Sequence, residues 1–327
     1  MSQSMERMRS GHSSGGEGRI PVGVVGSGYW PEVVGELLRR AGIRNEVVDI
    51  SKRRYRLYWV LSGAWRRYDV IHMVGGFDWR LGTVLEFCGA AVVVHWIGSD
   101  VLRLRSPRKF EWDRRFRRRF AQRSPRAHLA DSPLLVEELR EIGIKASVVR
   151  LLPRWIEAAV EPLPSKPAVL SYWFDGRARY AIKKETRRDF YGGDIVLQLA
   201  REFPDIEFRI LQATGKDERA TRNVTFLGHQ NDPTPYYRDT SAVIRIPKHD
   251  SISAIVLEML ARGRYAIYNT PLEGCHFASN LDEARTALAD ILTKAEPNKV
   301  GAEMVKRDFS LQAEAQALKE FYSRFRP

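Results

Sequence analysis

An apolar run of strand length, Ile20 to Val25, ends in the tight turn Gly26-Ser27-Gly28, passes into a helix-length segment from Pro31 to Gly42, and is followed by a second strand-like run, Glu46 to Ile50. A chain that repeats strand, helix, strand in this way pairs its strands in parallel, through right-handed crossovers that lay helices against the sheet. The pattern continues through predicted strands at Tyr68 to Val74, Ala90 to Val94, Ala127 to Ala130 and Ser147 to Leu151, with predicted helices over Arg80 to Cys88 and Pro133 to Ile142. It breaks at Glu161-Pro162-Leu163-Pro164-Ser165-Lys166-Pro167, whose prolines make a stiff connector between domains. A second series follows, with strands at Ala168 to Tyr172, Glu207 to Gln212, Val224 to Leu227, Ala242 to Ile246 and Tyr265 to Tyr268. Its predicted helices are Asp194 to Phe203, Pro235 to Asp239 and the segment after Ser253. The reading is α/β: two Rossmann-like domains with parallel sheets facing a central cleft, over residues 19–158 and 168–309, joined by a linker at 159–167. Residues 1–18, rich in glycine and serine, are expected to be a disordered tail, and 310–327 to form an amphipathic helix.

At 327 residues the chain has room for two cores of ordinary size. Its 44% hydrophobic and 28% charged content is that of a soluble globular protein. No apolar run reaches the roughly 18–20 residues that span a bilayer, and the N-terminus lacks the apolar core of a signal peptide, so a cytoplasmic location is expected. Cys88 and Cys275 stand far apart, which fits a reducing compartment and neither a disulfide framework nor a zinc site.

The net charge of +13 predicts an anionic partner: nucleotide phosphates, nucleic acid or an acidic membrane surface. Much of the excess lies between Arg103 and Arg126, where Trp112, Phe116 and Phe120 recur at a spacing of four. On a helix this aligns the aromatics in one stripe, which either lies on anionic lipid at the inner face of the membrane or packs into a domain core. No helix-turn-helix, zinc or RNA-recognition signature accompanies the charge, so nucleic acid is not the expected partner.

The richest stretch for chemistry runs from Ile246 to Gly263. An apolar strand gives way to the polar loop Pro247-Lys248-His249-Asp250-Ser251, and a helix follows with Glu258 about two turns in, roughly 8–12 Å from Asp250 along the axis. Two acids at that separation can grip two parts of one long polar ligand. Between them, the N–H groups around Ile252, Ser253 and Ala254 form a seat for phosphate at the positive end of the helix. The competing reading makes Asp250 a helix cap and Glu258 a solvated acid.

This stretch resembles the retaining glycosyltransferases of the GT-B fold, in particular family 4, whose hallmark is two acids separated by seven residues in a loop-to-helix turn. Asp250 stands here where Glu is usual and Ser251 where Gly is usual, followed by Glu258-Met259-Leu260-Ala261-Arg262-Gly263. The resemblance implies that Asp250 faces the donor sugar, that Glu258 binds the ribose hydroxyls of a nucleotide sugar, and that the helix N-terminus, with Ser251, Ile252 and Ser253, holds the diphosphate.

The same resemblance covers His95-Trp96-Ile97-Gly98-Ser99-Asp100 at the end of a central strand, and implies that His95 contacts the donor sugar or the reacting phosphate. The alternative is a histidine satisfied by a loop carbonyl, with Asp100 capping the next helix. The family also places an Arg and a Lys after the first strand of the second domain to neutralise the leaving diphosphate. Here Tyr191 occupies the Lys position; Arg187 and Arg188 are the favoured cations, with Lys183 and Lys184 as rivals. Gly26 and Gly28 would let a diphosphate or acceptor approach, and His229, after Gly228, would lie beside the nucleotide base.

The expected function is therefore transfer of a sugar from a nucleotide sugar, with retention, to an acceptor sugar or a lipid-linked acceptor near the membrane. Neither a cofactor nor a metal ion is expected, because arginines and a helix N-terminus can stabilise the departing phosphate. An NAD-dependent oxidoreductase is the rival suggested by Gly26-Ser27-Gly28 and Asp49; it lacks the third glycine, since Tyr29-Trp30-Pro31 follows. A basic nucleic-acid-binding protein and a degenerate transferase that only binds nucleotide sugars are the others.

Overall fold

The computed structural model describes residues 20–75, 79–105, 127–176, 186–216 and 221–324, with residues 115, 118, 119 and 122 between. The first half contains β1 (Ile20–Gly26), α1 (Trp30–Arg40), β2 (Asn45–Asp49), α2 (Arg53–Leu61), β3 (Tyr68–Val74), α3 (Trp79–Phe87), β4 (Ala91–Trp96), α4 (Ser99–Arg105), β5 (Ala127–Ala130), α5 (Pro133–Glu141) and β6 (Ser147–Val148). The second contains β7 (Ala168–Tyr172), α6 (Arg187–Phe190), α7 (Gly193–Glu202), β8 (Glu207–Leu211), β9 (Val224–Gly228), α8 (Thr234–Arg238), β10 (Ala242–Arg245), α9 (Ala254–Ala261), β11 (Tyr265–Tyr268), β12 (Cys275–Phe277), α10 (Leu281–Ile291), α11 (Lys299–Asp308) and α12 (Leu311–Arg324).

Among the described residues the strands form two six-stranded parallel sheets, in the orders β2-β1-β3-β4-β5-β6 and β12-β11-β10-β7-β8-β9. Strands covered on both faces are apolar along most of their length, and β4 is buried from end to end, its one histidine included. In each sheet the order reverses beside the first strand, so the neighbouring loops splay apart at the C-terminal strand ends, where such folds place ligands.

The last helix returns to the first domain. It packs on α1, its Glu314 carboxylate accepts from the Arg150 N–H at 2.8 Å, and its Tyr322 hydroxyl lies 2.7 Å from Nδ1 of His72 on β3. Three stretches differ from the sequence reading, and one is the four-residue helix α6, too short to show a helical period. Helix α2 was not anticipated, because its apolar residues do not keep one face: Trp59 is buried while Leu57, Tyr58 and Leu61 are exposed. Strand β12 and helices α10 and α11 also went unread, since β12 is only three residues long and holds His276 between Cys275 and Phe277.

Candidate active site

The loop between β10 and α9 carries Asp250 to the junction of the two domains. One Asp250 oxygen accepts from the Ser251 N–H at 3.1 Å. The other takes both Nε and Nη2 of Arg245, at 3.2 and 2.9 Å. Asp250 thus pairs with the cation that ends the preceding strand and does not cap α9. The cap residue Ser253 makes no side-chain capping bond, and its buried hydroxyl has no partner among the described residues. The Ser253 N–H donates to the Tyr268 hydroxyl at 3.2 Å. The first turn of α9 therefore presents amides without a side-chain acceptor, next to an unpaired hydroxyl, which is the chemistry of an anion seat.

Arg245 is the residue sequence reasoning missed. It ends an apolar strand, is 1% exposed, and lies against the rings of both Tyr172 and Tyr191, at 4.2 and 4.4 Å from their centroids. Its Nη1 is buried without a hydrogen-bond partner among the described residues. The tyrosine in the family's lysine position is thus one wall of a slot that holds an arginine from the neighbouring strand. Of the cations expected nearby, Arg188 is spent on Asp189, 2.7 Å away. Arg187 stacks on Phe174 at 5.2 Å and keeps a buried Nε with no partner among the described residues. Lys183 and Lys184 lie outside the described residues. Among the described residues, Arg187 and Arg245 share one aromatic cluster, Tyr172, Phe174 and Tyr191.

Glu258 lies on the second turn of α9, 3% exposed, and accepts from the Tyr237 hydroxyl at 2.7 Å. It is not the solvated acid of the alternative reading. Burial and the adjacent Glu258 charge push the Tyr237 hydroxyl pKa far above its ordinary value, so the phenol stays a donor.

The first domain meets this loop directly. Asp131, just past the end of β5, accepts from the Ser251 hydroxyl at 2.7 Å and from the Leu151 N–H at 2.7 Å. Burial pushes its carboxyl up to about 7 in spite of these bonds. His249 lies 2.9 Å from Glu138 on α5, and a side chain at Gly98 would touch Ser251 at 3.9 Å. Asp131 was legible only as an acid at the C-terminal end of a strand. Gly28 has a φ of +79° and nothing within 4 Å of where a side chain would project. Gly26 differs: a Cβ there would strike Pro31 and the Val74 carbonyl at 2.6 and 2.7 Å, so packing alone requires that glycine.

His95 is not where the resemblance implied. It is fully buried, with Nε2 2.9 Å from the Val149 carbonyl and Nδ1 3.2 Å from Nε2 of His72. Both ring nitrogens are occupied and no face reaches solvent, so the ring is packed into the first domain. Burial pushes its pKa down to about 4. Asp100 accepts from the Ile97 and Gly98 N–H groups at 3.1 and 3.0 Å, which is the capping alternative. His229 is exposed beside the loop after β8, where Nδ1 lies 3.0 Å from Oε1 of Gln212. Gln212 has a φ of +70°, a strained left-handed backbone of a kind that gathers at ligand sites.

No protein-family model and no curated protein matches this chain. Solved structures do resemble it. Sucrose-phosphate synthase from Thermosynechococcus elongatus superposes with a TM-score of 0.69 at 13% identity, over 94% of this chain and 99% of that one. HepE of Anabaena, solved with UDP and glucose, gives 0.64 at 14% identity, over 88% of each chain. A UDP-N-acetylglucosamine 2-epimerase from Listeria monocytogenes, so described without proof of activity, gives 0.56 at 12% identity, over 95% and 99%. Identities this low establish a shared two-domain GT-B fold and leave the reaction to be argued from the site.

Proposed function

We propose that the protein is a nucleotide-sugar-dependent glycosyltransferase acting with retention. The observation that carries this reading is the constellation at the domain junction: an open helix N-terminus, a buried arginine beside it with an unpaired N–H, and acids at either end, Asp250 and Glu258. A nucleoside diphosphate sugar has the matching groups in the matching order. Its ribose hydroxyls donate to Glu258, its diphosphate lies on the amides of α9 and the Ser253 hydroxyl, and its sugar reaches toward Asp250. As the glycosidic bond breaks, negative charge grows on the departing diphosphate, and the fixed charges of Arg187 and Arg245 lower the barrier without a divalent ion. Neither carboxylate acts as a nucleophile. HepE was solved with UDP and glucose, which makes UDP-glucose the first donor to try.

The net charge of +13 supports an acceptor that is lipid-linked or held at an anionic membrane. The arginine–aromatic segment that first suggested this lies mostly outside the described residues, and no helix among those described is long and apolar enough to cross a membrane. The NAD reading is not favoured, because helix α1 begins at Trp30 with no third glycine to admit a pyrophosphate. The test is a hydrolysis and transfer assay over UDP-, GDP- and ADP-sugars with the wild type and Glu258→Ala. Turnover with one donor that falls at least tenfold in the variant is expected; equal turnover would remove Glu258 from the mechanism.

A further inference from the structure

Half of the large apolar side chains exposed among the described residues lie on two helices. Leu57, Tyr58 and Leu61 project from α2 with 59, 62 and 75% exposure, and Val84 and Phe87 from α3 with 43 and 93%. The topology makes these helices neighbours. β2 connects to β3 by passing β1, and β3 connects to β4 in the same direction, so right-handed crossovers put both helices on one face of the sheet. They share one core beneath, through Trp59, Leu81 and Leu85. Around this apolar crest the charge has one dominant sign. Between Ile50 and Tyr68 the chain holds Lys52, Arg53, Arg54, Arg56, Arg66 and Arg67 and no acid. The cations of Lys52, Arg54 and Arg66 lie over aromatic rings, and these three residues are exposed. The acids at its margins are Glu46, which pairs with Arg67, exposed Asp49 before Lys52, and half-buried Glu86 on α3.

We infer that the outer face of α2 and α3 is a docking surface for an anionic lipid bilayer. Soluble monomers rarely leave large apolar patches in water, and a rim of cations selects what covers these five side chains. Two copies paired by a two-fold axis would set the cations of one against those of the other. Nucleic acid would satisfy the arginines but offer nothing to Leu57, Leu61 or Val84. A bilayer answers both: aliphatic and aromatic tips enter the acyl boundary while lysine and arginine stay at the headgroups. The surface lies on α2 and α3, apart from the loop that carries Asp250, so the inference goes beyond the transferase reading and stands without it.

The experiment is flotation of the full-length protein with phosphatidylcholine vesicles, with and without phosphatidylglycerol, in the absence of any nucleotide sugar. Binding to the anionic vesicles only, weakening with salt, is expected. The triple variant Leu57→Ser, Leu61→Ser, Phe87→Ser should lower partitioning at least about tenfold, given the apolar area removed. Lys52→Glu with Arg54→Glu should abolish the preference for phosphatidylglycerol. Phe277→Ser with Val300→Ser, also exposed but on the second domain, should bind as wild type. Matched melting temperatures check folding. Should the triple variant fail to fold, hydrogen exchange of the wild type decides: vesicles should protect residues 53–61 and 84–87. Unchanged binding by the triple variant, absence of that protection, or a wild-type dimer that the triple variant dissociates would each overturn the inference. Loss of transferase activity with vesicle binding intact would touch only the proposed reaction.

Discussion

Arg245 is held in place by two rings and one carboxylate, and each partner does a separate job. Tyr172 and Tyr191 replace water around a planar cation at little loss of electrostatic stabilisation, while Asp250 neutralises it. Removing the cation strands a partly buried acid, so Arg245→Met should cost roughly 2–4 kcal/mol in urea unfolding, near the range for a broken buried pair. Arg245→Lys keeps a charge but not the stacked fork, and should bind nucleoside diphosphate more weakly than wild type in calorimetry. Glu258→Gln separates structure from function. The amide oxygen still accepts from Tyr237, so stability should change by less than about 1 kcal/mol, whereas losing a charged acceptor for ribose should weaken donor binding about tenfold.

Asp131 makes the stability of the fold depend on pH. Its folded pKa, about 7, lies above the ordinary 3.8, so between those values the folded state holds more proton than the unfolded chain. Its contribution to stability is therefore full at acid pH and is lost as pH rises toward 7. His95, at about 4 against an ordinary 6.5, works in the opposite direction, and His72, lowered by burial and by His95, does the same. Both cost stability as pH falls below 6.5. Comparing urea unfolding of wild type and Asp131→Asn across this range isolates the acid: the wild type should lose stability relative to the variant as pH rises.

At the scale of elements, the terminal helix is tied into the first domain through a buried polar chain. Tyr322, His72, His95 and the Val149 carbonyl follow one another across α12, β3, β4 and the segment after β6. The register that sets Val74 opposite His95 brings the two histidines into contact. Tyr322→Phe removes one hydroxyl and leaves His72 Nδ1 without a partner in the core, a loss of about 1–3 kcal/mol that should appear as a lower denaturation midpoint with unchanged far-UV dichroism. Nothing in the sequence around His95 announced this chain, because His72 and Tyr322 are distant in sequence. A histidine ending a central strand reads as a ligand group by position, and burial behind the sheet edge is invisible in a linear pattern. Strands such as β3, β4 and β7 were legible for the opposite reason: a run of apolar residues in a parallel sheet carries its burial in its composition.

For the molecule as a whole, the two domains meet through the motif loop, with Ser251 bonded to Asp131 and His249 beside Glu138. A ligand that fills the seat on α9 engages the loop that already touches both halves. The donor recognised by the site should therefore raise the melting temperature, by an amount that grows with its concentration above Kd, and NAD should not. What the chain determined by itself was whatever depends on local order: alternating strands and helices, a parallel sheet in each half, and a loop-to-helix turn with two acids separated by seven residues. These follow from periodicity and from the chemistry of a helix N-terminus. Only the tertiary structure decided which cations stand in the site. Arg245, Tyr172 and Tyr191 come from three separate segments, Asp131 reaches Ser251 across the domain junction, and His95 is withdrawn from it. Those arrangements rest on which strands lie side by side and on how the two halves close, and neither is written in the spacing of residues along the chain.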